Sequence, residues 1–364
     1  MNIIFRFIRI FWAFPLAFAL FFTSCTDDDP TPTPPSAAQD GYFIVNEGGF
    51  GNANTSLSYY DRQHDTIRNN IFQQTNGRPL GDQTQSMSVF DERGFIVVQN
   101  SAKIEVIDRE DFTSIATIDA DEGIVSPRYF LGISPTKGYV TDWGADGVTG
   151  TVKVLDLATY EVTATIPVGQ GANTLIAHNN QVYVTNNGGY GYDSTIMVID
   201  PQTDAIVDTI TVGDNPGSLT VDANGHLWVA GSGRIVYNAD YSINTAESTP
   251  GFIARLENDE VAFKQSADQL GTGPATVTID PEGQQLYFRY ASGVYRMNIN
   301  ETSLPSSPFL DKSYYGLAVD PVSGEVLTGE APDYSNDGSF NRYSSGGQLI
   351  KSYTVGIAPR GFAF

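Results

Sequence analysis

Arg128 and Arg360, each directly after a proline, and Arg289, inside "QLYFRY", are three of only 20 Lys and Arg residues in a chain of 364. A guanidinium is a planar fork of donors that grips carboxylates and phosphates and stacks on aromatic rings. Polar or aromatic residues close several short apolar runs: Asn46 and Glu47, Asn100, Asp142 and Trp143, Asn186, and Tyr290. Their amides and carboxylates can hydrogen-bond a ligand, or Glu47 and Asp142 can simply pair with the arginines. Beyond those runs come glycine-rich stretches carrying Phe50, Tyr190, Tyr192 and Tyr334, whose rings offer flat stacking surfaces. This is the chemistry of binding rather than of bond breaking. "NEGGFG" at Asn46–Gly51, nearly repeated as "NNGGYG" at Asn186–Gly191, lacks the Lys-Ser/Thr of a phosphate loop and runs into a strand instead of a helix. His64, His178 and His226 have no metal-ligand spacing, and no nucleophile elbow stands out. "DYSNDG" at Asp333–Gly338 resembles the start of a calcium loop, but Ser344 falls where the bidentate Glu belongs. The expectation is a non-enzyme with no catalytic residue and no metal or other cofactor. A propeller hydrolase using rim carboxylates and a metal is the less favoured alternative.

These side chains need a scaffold that repeats. From Gly41 onward no stretch keeps a 3.6-residue apolar period, whereas short runs rich in Val, Ile, Tyr and Thr alternate with Gly, Asn, Asp and Pro turns. Runs of one type, "SLSYYD", "KIEVID", "TVKVLD" and "TIMVID", end at Asp61, Asp108, Asp156 and Asp200, where a carboxylate caps the following turn by accepting backbone N–H groups. A second type precedes them, from "YFIVNE" to "EVLTGE". A third includes "PRYFLGIS", "PGSLTVDA" and "YYGLAVDP". Four short antiparallel strands recurring every 40–50 residues predict an all-β, seven-bladed propeller. The domain starts at a second-type strand and ends with "APRGFAF", an inner strand of the "PRYFLGIS" type, so the C-terminus is expected to supply the inner strand missing from the first blade and close the ring. "NADYSINTAESTPG" makes blade five the least regular. If the inner strand runs from top to bottom and the second returns, inner-strand starts and second-strand ends surround one mouth. That places the residues above on a single rim.

The charge balance, 20 basic against 42 acidic residues, gives −22 and argues against a nucleic-acid partner. The single cysteine excludes an intrachain disulfide. Arg6 and Arg9, the apolar stretch 10–22 and "FTSC" form a processing signal that resembles a bacterial lipoprotein leader, with an ordinary signal peptide as the alternative. The expected organisation is a leader over 1–24, a tether over 25–40 starting at a lipidated Cys25, and the propeller over 41–364. "TDDDPTPTPPSAAQD" cannot build a core and favours an extended stalk. Its Asp27–Asp29 run resembles the export signal of surface lipoproteins in Bacteroides-type bacteria.

"GYFIVNEGGFGNANTSLSYYD", "PLGDQTQSMSVFDERGFIVVQNSAKIEVID" and "PRYFLGISPTKGYVTDW" together resemble the YncE-like surface propellers of such bacteria, the family with a DUF5074-type repeat. That family includes a surface lipoprotein that captures vitamin B12 above a TonB-dependent outer-membrane transporter. The resemblance implies a lipid-anchored outer-membrane protein facing the cell exterior, with a corrinoid as cargo and such a transporter as partner. An interaction module gripping a protein without a small ligand is the alternative from another class.

Overall fold

The computed structural model describes residues 40–364; the leader, Cys25 and nearly all of the tether lie outside them. Seven antiparallel sheets follow one another along the chain. Six have four strands, and the sheet of blade six has three, Ala275–Ile279, Gln285–Tyr290 and Gly293–Asn298. Its outer position is held by a single bridge between Val294 and Leu310. Blade five is complete, because the interruption expected there falls in the loop between its second strand, Leu227–Gly231, and its third, Phe252–Glu257.

Burial explains why the second strands read as unbroken apolar runs. Gly41–Asn46 is buried along its whole length, since both faces pack against neighbouring blades. Outer strands such as Ala205–Thr211 are exposed at all but one position, Ile210. The core is therefore a set of layers between blades. Tyr183, Ile196 and Val198 of blade four, for example, pack on Leu227, Val229 and Phe252 of blade five. Carboxylates at the third-strand ends do cap turns: Asp108 accepts the N–H groups of Glu110 and Asp111, and Asp156 those of Ala158 and Thr159.

The inner strands, Thr84–Phe90, Pro127–Ser134, Ala172–His178, Pro216–Val221, Ala275–Ile279, Gly316–Val319 and Pro359–Ala363, stand side by side around a central channel. The last of them pairs with Gly41–Asn46, so the C-terminal strand closes the ring as the sequence predicts. Ion pairs reinforce that seam: Arg62 of blade one grips the buried Asp320 of blade seven, and Arg342 of blade seven bonds Asp65 of blade one at 2.6 Å. A short helix, Ile71–Asn76, links blades one and two and buries Ile71 and Phe72; no repeat in the sequence announces it.

Candidate functional site

One backbone device recurs at the channel mouth. In six of the seven blades the ladder between inner and second strand slips just after the inner strand begins, leaving an extra residue in the inner strand. Such a bulge turns a side chain out of the pleat. The residues at these slips are Gln85, Arg128, Asn173, Gly217, Thr276 and Arg360, and all six line a cavity of about 440 Å³ at the mouth. Proline at 127, 216 and 359 starts three of these strands, supplying a fixed φ and no N–H where the ladder begins.

The three arginines converge on this cavity. Arg360 pairs with Glu47 at 3.0 Å, and the hydroxyl of Tyr315 donates to the same carboxylate. Arg128 donates to the Gln99 side-chain oxygen and lies over the Trp143 ring at 3.8 Å. Arg289 donates to the carbonyls of Tyr314 and Tyr315 at 3.2 and 3.0 Å and to the Thr276 hydroxyl at 3.0 Å. Burial pushes Arg128 down to about 10, and Arg360 nearby adds to the shift. Arg289 is lowered by the same two causes in the same order. Burial works against Arg360 as well, but Glu47 more than compensates and holds it above its ordinary value. All three stay charged at neutral pH.

The rings form an upper tier. Tyr190, 79% exposed, meets Trp143 edge to face at 6.0 Å, and Tyr334 meets Tyr315 the same way at 5.2 Å. Phe50 is 73% exposed on its loop tip, where the N–H of Gly51 is held by Asp82. Aromatic surface therefore adjoins the cationic cavity at Arg128, through Trp143, and at Tyr315, through Tyr334.

Several expected rim residues sit elsewhere. Asn46, Asp142 and Asn186 end second strands and point into the layers between blades, where all three are fully buried. Asn46 donates to Ser56 and Ser58 at 3.2 and 2.9 Å, and Asn186 to Thr195 at 2.9 Å. Asp142 accepts the N–H groups of Val125, Ser126 and Gly144, locking a loop. The following residue, Glu47, Trp143 or Asn187, turns toward the mouth, as alternation along a strand requires. In blade two that residue is Gln99, whereas the expected Asn100 is exposed and bonds Asp82 at 2.5 Å. Tyr290 packs into the core against Phe288 and Tyr295. Tyr192 is a strut: its hydroxyl donates to the Ile235 carbonyl at 2.8 Å, and Arg234 lies over its ring, fixing the long loop of blade five. The glycines of "NNGGYG" answer to close packing: a Cβ on Gly189 would lie 2.1 Å from the Gly147 carbonyl oxygen. Asp333 of "DYSNDG" spends its carboxylate on Ser335 and Asn336. Among the described residues no group of three or more His, Cys, Asp or Glu is placed to hold a metal. The sequence reading missed Gln99, Tyr315 and Asn173; Gln99 and Tyr315 adjoin strands that were identified, so strand register would have exposed them.

Comparison with known proteins decides the family. The model described as "Domain of unknown function (DUF5074)" matches residues 40–356. The chain belongs to the DUF5074 family. No curated protein matches it. Solved structures share the fold of this DUF5074 propeller at low identity. A quinonprotein alcohol dehydrogenase-like protein from Bacteroides thetaiotaomicron superposes with a TM-score of 0.66 at 14% identity, over 91% of this chain and 79% of that one. A functionally unknown protein from Desulfotomaculum acetoxidans gives 0.62 at 12%, over 89% and 98%. Hydrazine synthase of Kuenenia stuttgartiensis gives 0.55 at 14%, over 77% and 89%. Resemblance at that distance concerns the propeller architecture.

Proposed function

We propose that this DUF5074 propeller is a non-enzymatic capture protein that holds a small, bulky nutrient across its channel mouth. The observation that carries the reading is the arrangement of three arginines around one cavity, joined to the exposed rings of Tyr190 and Tyr334 through Trp143, which stacks on Arg128, and through the lining residue Tyr315. A cavity of about 440 Å³ is the size of a small-molecule pocket, so it takes a side group while the body of a larger cargo rests on the aromatic tier. The resemblance of the sequence to vitamin B12-capturing surface propellers makes a corrinoid the first cargo to test. It also makes a TonB-dependent outer-membrane transporter the recipient, and Cys25 the point of lipid anchoring on the cell exterior. Gly41–Asn46 runs toward the mouth, so the chain enters the ring from the opposite face.

Calorimetric titration of the purified full chain with cobalamin is the test. Binding at micromolar concentrations is expected, together with at least a tenfold loss on replacing Arg128, Trp143 and Tyr190 by alanine in a variant that still melts cooperatively. Absence of heat would remove the corrinoid; unchanged affinity in the variant would move the site to another face. The exposure of Phe50 and Tyr190 favours one second reading, a protein partner gripped without small ligand. A partner retained from outer membranes without added cargo, and with no ligand detectable by mass spectrometry, would establish that reading instead.

A further inference from the structure

We propose that the channel mouth is an oxyanion subsite, built to receive a phosphate or carboxylate group of a small organic molecule. The proposal rests on the mouth being the ligand face, not on a corrinoid being the ligand. Three guanidinium groups face one cavity, and the lining contains no carboxylate. Glu47, which reaches two lining residues, is taken by Arg360 and Tyr315. Arg128 and Arg289 make hydrogen bonds only to neutral acceptors, one side-chain amide, two backbone carbonyls and one hydroxyl. The Nε–H groups of both are buried without an acceptor. In a chain with 42 acidic residues, unneutralised cations in a closed ring of side chains are a specific placement.

Physical chemistry says what such a placement takes. A buried guanidinium loses hydration and recovers it best from an oxyanion, whose charge-assisted bonds are shorter and stronger than those to amides or carbonyls. Burial and the nearby Arg360 already depress Arg128 and Arg289, and the negative charge of an anion in the cavity would offset both. Asn173 and Thr174, across the lining, add neutral polar groups to the same space. Trp143 provides a built-in reporter, because Arg128 lies over its ring at 3.8 Å and a new partner for that guanidinium would alter the indole's surroundings.

The full chain should be titrated with inorganic phosphate and with citrate at fixed ionic strength, following tryptophan emission and heat, with glycerol as the neutral control. A saturable change with either anion, absent with glycerol, is expected, and in W143F its emission component should be lost while the heat remains. R289Q should weaken anion binding at least tenfold. That variant also removes bonds to two carbonyls, so R128Q, which gives up one amide contact and one stacking face, is the second variant, with melting curves confirming its fold. No saturable response up to tens of millimolar, or equal affinity in a folded R128Q, would overturn the proposal. Cobalamin binding with no saturable response to either anion would remove the anion subsite and leave capture intact. Phosphate binding without cobalamin binding would remove the corrinoid and leave the subsite.

Discussion

Asn46 and Glu47 are neighbours in sequence with opposite duties. Asn46 holds Ser56 and Ser58 inside blade one, while Glu47 neutralises Arg360 at the mouth. Replacing Asn46 by alanine leaves buried hydroxyls short of a donor, so it should lower stability by about 1–3 kcal/mol and leave cargo affinity unchanged. Thermal melts and calorimetry on one preparation check both halves. Residue types at this scale were only partly legible. Arg128 and Arg360 could be placed because a proline opens each strand, and both line the cavity. Asn46, Asp142 and Asn186 were misplaced by a single step of strand alternation, which sends one residue into the blade and the next to the channel. Asn100 was preferred to Gln99 for the same reason: two adjacent polar side chains look alike until register is known.

Strands were the most legible elements, since the apolar runs and their turns carry a repeating physical pattern. The bulges were hidden, because an extra residue in a ladder leaves no compositional mark, and they decide which side chains face the cavity. The helix Ile71–Asn76 is too short to show a period, and only Gly77, at φ 67, marks its end. Within blade two, Glu105 on the third strand is fully buried and accepts from Arg78 at 2.6 Å, Lys103 at 3.1 Å and Ser114 at 2.6 Å. Burial favours its protonated form, but the bonds from Arg78, Ser114 and Lys103 outweigh that and hold the pKa below the ordinary 4.5. Folding therefore favours the ionised carboxylate. Its contribution is complete above about pH 4.5 and lost as pH falls through the depressed value. Glu105→Gln should cost about 2–4 kcal/mol at pH 7, with the gap to wild type closing in acid. Denaturant unfolding at pH 7 and below pH 4 would show it.

The ring is the unit of stability for the whole molecule, and its seam lies where the first and last strands of the propeller pair. Deleting residues 359–364 removes the inner strand of blade one, exposes the edge of Gly41–Asn46 and strips away the inner strand's packing against blades two and seven. Loss of the single cooperative melt is the expected result, read by circular dichroism, and a truncated chain melting at the wild-type temperature would show that the seam is dispensable. Blade count and ring closure were legible because both follow from the order of strand types; the blade of three strands was not, since Leu310 replaces a strand with one bridge. The seam also sets the mechanics of the molecule. Gly41–Asn46 is clamped between Pro359–Ala363 and Ser56–Asp61, and its hydrogen bonds run across the strand axis. A pull transmitted through the preceding chain acts along that axis, so both ladders bear load together in shear instead of parting one bond at a time. The point where tension enters the propeller is thus a central strand gripped on both sides, which resists flow or tugging better than a frayed edge would.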